Sequence, residues 1–432
     1  MTIANQLEQI IRDNRLLDLP VSWRDEIIYP SYHGLSIINI TRSILALFGA
    51  SVENPTYGGL NPLVWGEKVP DIERVIFFLC DGMGYKLVQE LVEQDAEVAD
   101  LIAALTDGRG ILPLTSVAPS TTAVALPAIW TAQPPGISGM VGSVQFLREA
   151  SLLADILSFR PAVGKHPMGS LSEWGIDADT FVTLPVIAHY LEAVGVDANA
   201  LVDYKLYGSG LSRIMHRGNL GTHLHLGYSD IFSRASDVLK QTVGQKTYIN
   251  VYNPTLDTIS HAYGATSPQA IHELKYQLRN IHDALADPAL RDGKTLAIIT
   301  ADHGHNDIHT AFDLAHDAKW KPIYNAMRSN MGGDSRFAYL YLREGAKADV
   351  IDVLESEFSD QVAWIDRETA LASGLFGDGN FHPDLEHRIG DVILMPRAGI
   401  RLTDPSHVFK HISLHSGLSE REMLVPFIWS VI

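Results

Sequence analysis

Three aspartates and three histidines stand where they could share divalent cations. Asp257 and His261 are four apart in Asp257-Thr258-Ile259-Ser260-His261, and on a helix positions i and i+4 lie on one face. Asp302 and His303 are adjacent in Thr300-Ala301-Asp302-His303-Gly304-His305. They can meet one ion if the chain turns sharply, which Gly304 permits. Asp81 ends the apolar run from Val75 to Cys80, and His415 precedes Ser416-Gly417-Leu418-Ser419. Carboxylate oxygen and imidazole nitrogen are what Zn²⁺ and similar ions prefer. Six such groups suit two ions rather than one, and two ions about 4 Å apart clamp the attacking and leaving oxygens of a phosphoryl displacement. Each residue also has a plainer role open to it: a helix-surface pair for Asp257 and His261, a loop pair for Asp302 and His303, a structural histidine at His415, and a cap for the helix starting near Tyr85 at Asp81. The set taken together favours metal.

Such a centre needs a nucleophile. Pro119-Ser120-Thr121-Thr122-Ala123 offers hydroxyls inside a stretch from Gly110 to Leu147 that holds no charged residue. A hydroxyl is a weak nucleophile until a metal lowers its pKa. At the start of a helix it would lie beside backbone N–H groups that favour an anion. A Ser/Thr cap serving only the helix fits the same residues. The uncharged stretch is not a membrane span, because Pro113, Pro119, Pro127, Pro134 and Pro135 interrupt it and a span needs about 20 apolar residues in one helix.

These residues require a frame that brings distant positions together. The runs Val75–Cys80, Thr247–Tyr252 and Leu296–Thr300 read as strands buried on both faces. Helical patterns lie between them, at Leu87, Val88, Leu91 and Val92, and from Ala270 to Leu285. Strands alternating with helices indicate an α/β fold, a mostly parallel sheet covered on both faces. In such sheets ligands bind beyond the carboxyl ends of the strands, which is where Asp81, Asp257, Asp302 and His303 fall. Residues 151–244 show scattered Gly and Pro, helical pieces at Ile187–Val194 and Ser229–Leu239, and no strongly buried strand. They read as an inserted cap on a core formed by residues 1–150 and 245–432. A helix at Val350–Phe358 and a β-hairpin near Ile389–Leu394 are expected beyond it.

Composition narrows the function classes. The 432 residues are 46% hydrophobic and 19% charged, as in ordinary globular proteins, and neither a fibrous repeat nor a disordered chain fits. A net charge of −18 argues against a nucleic-acid-coating surface, which needs a basic face, and against an anionic membrane. A small anionic substrate stays open if bound metal supplies positive charge. The single cysteine, Cys80, excludes an internal disulfide framework. With no apolar leader-like region near Met1, the cytoplasm is the expected compartment.

In order along the chain, Asp81-Gly82-Met83-Gly84, the Pro119–Ala123 block, Asp257-x-x-x-His261, Asp302-His303-Gly304, Arg388-Ile389-Gly390-Asp391 and His415-Ser416-Gly417-Leu418-Ser419 resemble the alkaline phosphatase superfamily, in its type I phosphodiesterase/nucleotide pyrophosphatase branch. The resemblance implies an alkaline-phosphatase-like three-layer α/β sandwich and a centre of two divalent ions, zinc as a rule, with manganese or magnesium as alternatives. It implies that Asp257, His261 and His415 hold one ion and Asp81, Asp302 and His303 the other. The nucleophile of this superfamily lies nine residues before a Thr-Gly pair. Thr131-Ala132 stands in that place here, which favours Thr122 over Thr121. Met83 and Gly84 stand where the branch often has an aromatic residue and Arg, and Ser416 where it has Gly. No Cys-x-Pro-x-Arg string is present, against a sulfatase. The implied activity is hydrolysis of phosphodiester or nucleotide pyrophosphate bonds through a phospho-threonine, on a small phosphate ester such as a nucleotide. A phosphomonoesterase, phosphomutase or phosphonate hydrolase on the same scaffold is the alternative, and a non-catalytic metal-binding protein a third. The cap is the region that discriminates, through Trp174, Tyr204, Tyr207, Arg213, His216 and Arg217: an aromatic slot favours a nucleotide, and converging Arg and Lys favour a terminal phosphate.

Overall fold

The computed structural model describes residues 2–65, 71–218, 220–407 and 410–432. Its central sheet has seven strands: β1 (Arg74–Cys80), β2 (Leu112–Thr115), β3 (Asp197–Asp203), β4 (Leu220–His225), β5 (Thr247–Asn253), β6 (Thr295–Thr300) and β7 (Leu424–Val431). They lie in the order β2-β7-β6-β1-β5-β3-β4. β1 pairs in parallel with β5 and β6, β3 in parallel with β5 and β4, and β7 runs antiparallel to β6 and β2. The fold is therefore α/β with a mixed, mostly parallel sheet. β1 and β6 are buried along their whole length, as their unbroken apolar runs require for strands covered on both faces.

Three helices flank the carboxyl ends of these strands or pack behind them: α1 (Thr122–Thr131), α2 (Thr255–Tyr263) and α3 (Pro268–Leu285). α3 buries Leu274, Leu278, Ile281 and Leu285 along one stripe, the spacing seen in its sequence. α1 is buried along its entire length, which explains the absence of charge in that stretch. Among the described residues no helix is long and apolar enough to cross a membrane.

Two expectations are corrected. Residues 151–244 are not wholly a cap, because β3 and β4 complete the central sheet. β3 escapes the apolar-run criterion because its buried positions include Ala198 and Ala200 between polar neighbours. β4 is the edge strand and largely solvent-accessible, so it needs no apolar run. Residues 152–155 and 160–161 join a second, antiparallel seven-stranded sheet with Val144–Leu147. The hairpin expected near Ile389–Leu394 is instead one strand of that sheet, Val392–Pro396, paired with Phe337–Leu340 and with Val362–Asp366.

Candidate metal centre and nucleophile

Sheet topology gathers residues from distant parts of the chain at one edge. Asp81 follows β1, Asp302 and His303 follow β6, and Asp257 and His261 sit on α2 just after β5. His415 follows a two-residue strand, Ser413–Leu414, paired with Asn306–Asp307. Thr122 opens α1, with Thr121 as its N-cap. The centre lies beyond the carboxyl ends of the central parallel strands, as the general rule for such sheets requires.

The seven residues meet in two overlapping groups. In the first, His261 Nε2 is 3.3 Å and His415 Nε2 3.6 Å from Asp257 Oδ1. In the second, His303 Nε2 is 3.4 Å from both Asp81 Oδ1 and Asp302 Oδ2. Thr122 Oγ1 is 3.1 Å from the same His303 nitrogen. Thr121 Oγ1 instead pairs with Ser143 Oγ at 3.2 Å, so of the two threonines only Thr122 addresses the cluster. The rings of His303 and His415 stack with centroids 3.7 Å apart, which joins the two groups.

Each imidazole is held by its other nitrogen. His261 Nδ1 lies 2.7 Å from the Ser413 carbonyl, His303 Nδ1 3.1 Å from the Gly304 carbonyl and His415 Nδ1 3.3 Å from the Ser120 carbonyl. A carbonyl accepts only, so each Nδ1 carries the proton and each Nε2 presents a lone pair to the carboxylates. That tautomer is the one a metal ligand needs.

The electrostatics suit a cation. Burial, together with Asp302 and Asp257, pushes the Asp81 carboxyl well above the usual carboxylate range. Burial also raises Asp257, but His261, His305 and His415 outweigh it and leave that carboxyl below its ordinary range. Burial lowers His261 to about 4 and holds His415 well below its ordinary value, so both are neutral near pH 7. Asp81 Oδ1 and Asp302 Oδ2 are buried without a hydrogen-bond partner. Orphaned buried carboxylate oxygens are costly, and here both face one imidazole lone pair. Three Asp and three His, two of the oxygens unpartnered, fit two divalent ions.

Three supporting residues carry weaker sequence signals. Tyr252, at the end of β5, donates its hydroxyl hydrogen to Asp81 Oδ2 and orients that carboxylate. His305 places Nε2 2.8 Å from Asp257 Oδ1 and Nδ1 3.1 Å from Ser413 Oγ. Its place two residues after His303 is visible in the sequence, but its partner is not. Ser416 adopts a φ of +91°, the left-handed region that favours glycine, and its N–H donates to the Ser120 carbonyl at 2.8 Å. This ties the His415 loop to the Thr122 loop.

Other local readings change. Asp81 does not cap the helix Tyr85–Gln94, whose N-cap is Gly84. Gly304 serves close approach rather than a left-handed turn, since a Cβ there would lie 2.1 Å from the Arg421 carbonyl oxygen and 2.7 Å from Gly84 Cα. Ala132 caps α1 with φ +56°, so it does a glycine's work at the end of the helix that Thr122 opens.

A cavity of about 390 Å³ opens beside Asp81, Thr122 and Asp257 and is walled by residues of 157–216. Of the six cap residues singled out in the sequence, His216 lines it and the others do not. Arg213 pairs with Asp177 at 2.9 Å and with Asp179. Arg217 donates to the Ile214 and Leu184 carbonyls at 2.8 and 2.9 Å. Both guanidiniums are engaged elsewhere.

Comparison with known proteins agrees with this architecture. Residues 75–410 match the family model described as type I phosphodiesterase / nucleotide pyrophosphatase. Of the six proposed ligands and Thr122, all but His415 fall inside that span. Murine ectonucleotide pyrophosphatase / phosphodiesterase 5, solved as an inactive threonine-to-alanine variant with AMP, superposes with a TM-score of 0.57 at 12% identity, covering 82% of this chain and 87% of that one. Phosphonoacetate hydrolase from Sinorhizobium meliloti, solved with phosphonoformate, gives a TM-score of 0.58 at 17% identity over 85% of this chain and 92% of that one. At such identities the likeness shows the fold. No curated protein matches in sequence.

Proposed function

We propose, from the premise that the chain belongs to the type I phosphodiesterase/nucleotide pyrophosphatase family, that it hydrolyses phosphodiester or nucleotide pyrophosphate bonds at a two-metal centre with Thr122 as nucleophile. Asp257, His261 and His415 would hold one ion, and Asp81, Asp302 and His303 the other. When bound, the two ions would lower the pKa of the attacking hydroxyl and offset charge on the phosphoryl and leaving oxygens. The observation that carries the reading is Thr122 Oγ1 at 3.1 Å from His303 Nε2, beside two orphaned carboxylate oxygens.

The chain's own residues account for the rest. Thr122 begins a helix, so the first N–H groups of α1 are available to phosphoryl oxygens. Its oxygen attacks phosphorus in line, a threonine–phosphorus bond forms, and the bond to the leaving alcohol or phosphate breaks. Water then attacks the phospho-threonine, releasing the monoester and restoring the hydroxyl. Tyr252 fixes Asp81, and the carbonyls of Ser413, Gly304 and Ser120 fix the three imidazoles. The inactive threonine-to-alanine variant of the murine neighbour supports a threonine in this role.

Diester chemistry is favoured over the monoester, phosphomutase or phosphonate alternatives by the cavity wall. A terminal phosphate or carboxylate is best held by Arg and Lys, and among the described cavity-lining residues Lys205 is the sole Lys or Arg. The test is turnover of a phosphodiester, a phosphomonoester and a phosphonate on one zinc-loaded preparation, repeated with manganese. The diester is expected to be fastest. Preference for the monoester or the phosphonate would overturn the reading.

A further inference from the structure

A carboxylate from the second sheet reaches the loop that presents Thr122. Strands Gly332–Asp334 and Phe337–Leu340 form a hairpin in which Asp334 pairs with Phe337, so Ser335 and Arg336 make its turn. Gly333 also pairs with Val144, and a Cβ on Gly142 would lie 2.8 Å from Gly333 Cα. Glycine at both positions permits this approach, which sets Asp334 beside Ser143. Asp334 is 8% exposed, and its Oδ2 accepts from the Ser143 N–H at 3.1 Å. Ser143 Oγ is in turn 3.2 Å from Thr121 Oγ1. Thr121 is the N-cap of α1, yet its side chain makes no capping bond. Its hydroxyl is committed to Ser143, while its carbonyl accepts from the N–H groups of Val124 and Ala125 at 2.9 and 2.8 Å.

A buried carboxylate is costly unless it is paired. Among the described residues no Lys or Arg pairs with Asp334, and although Ser143, His407 and His303 act against it, burial still leaves the carboxyl above its ordinary range. Packing alone gives no reason for such a group, whereas its contact with the Thr122 loop does. The same hairpin turn carries Arg336, which pairs with Glu422, and Glu422 accepts from the N–H of Gly417, two residues past His415, at 2.9 Å. One hairpin tip thus touches the supports of both loops. We propose that Asp334 is a positioning residue for the nucleophile: through Ser143 and Thr121 its carboxylate holds the first turn of α1 and keeps Thr122 Oγ1 at the metal centre. This rests on the proposed role of Thr122 and adds the group that sets its position.

Two measurements on the full chain test this: steady-state turnover of a phosphodiester by metal-loaded protein, and backbone amide exchange of metal-free protein. Displacing a reacting group by about 1 Å can cost about 100-fold, so Asp334→Ala should lower kcat by about 10–100-fold while KM and metal content hold. Asp334→Asn keeps an oxygen that accepts from the Ser143 N–H and should recover most of that loss. In Asp334→Ala the amides of Ser143, Val124 and Ala125 should exchange faster, with those of α3 unchanged. Ser143→Ala keeps the N–H bonded to Asp334 and breaks the link at the hydroxyl, so it should reproduce the fall in kcat even if Asp334→Ala does not fold. An unchanged kcat in Ser143→Ala, a loss carried by KM or by metal content, or Asp334→Asn no better than Asp334→Ala overturns the proposal. If Thr122 is not the nucleophile, Thr122→Ala stays active while the exchange response to Asp334→Ala persists, so the two failures are told apart.

Discussion

Asp257 shows how one side chain can organise a site. Its Oδ1 lies within 3.6 Å of Nε2 on His261, His305 and His415. His305 is the nearest, and its other nitrogen is anchored to Ser413 Oγ. It is therefore a positioning residue for a proposed ligand. Groups that orient metal ligands typically contribute about 10–100-fold to metal affinity. His305→Ala is expected to weaken metal binding by that amount in a chelator competition, and unchanged affinity would remove its role. The six ligand candidates are legible in the sequence because each closes a strand, shares a helix face or stands in a Gly-marked turn. His305 is not, because its role comes from contact with Asp257, 48 positions away, and no local spacing encodes that contact. The choice between Thr121 and Thr122 likewise depends on which hydroxyl faces His303.

The loop that carries His415 is secured from behind. Glu422 accepts from the Gly417 N–H at 2.9 Å and from Ser419 Oγ at 2.6 Å. It also pairs with Arg336, both side chains being fully buried. Burial raises the Glu422 carboxyl, but the Arg336 guanidinium outweighs this and holds it below its ordinary range. Removing one partner of a buried pair leaves an uncompensated charge and costs about 3–5 kcal/mol. Glu422→Ala should lower the unfolding free energy by that amount in denaturant titration, and a loss below about 1 kcal/mol would show the pair to be dispensable. At this scale the fold is partly legible in the sequence. β1, β5 and β6 can be read from apolar runs because both faces are covered. β3 and β4 cannot, since one relies on alanine and the other is an exposed edge, and the cap boundary is misplaced with them.

Across the whole molecule, buried neutral histidines set the response to acid. Burial lowers His216 and His382 from 6.5 to about 4. Below pH 6.5 the unfolded chain takes up these protons while the folded chain does not, so stability must fall as pH drops from 6.5 toward 4. Glu422, lowered from 4.5, adds its loss only below that value. In metal-free protein the raised Asp81 carboxyl works in the opposite sense, so the histidine contribution is read from His382→Asn, which should make the unfolding midpoint less sensitive to acid between about pH 7 and 4.5. An acid sensitivity unchanged by His382→Asn would contradict the burial argument. The net charge of −18 also takes on a local meaning. Three of the acids converge on one edge of the sheet, where two divalent ions would offset them and make the spot receptive to phosphate.

The central claim is that Thr122 performs the first displacement at this metal centre. The direct measurement pairs turnover of a phosphodiester with metal content, in the natural protein and in Thr122→Ala. The expected result is two divalent ions per chain in both, with turnover reduced at least about 10³-fold in the variant, as for other displaced nucleophiles. Full turnover by Thr122→Ala with its metals retained would contradict the account.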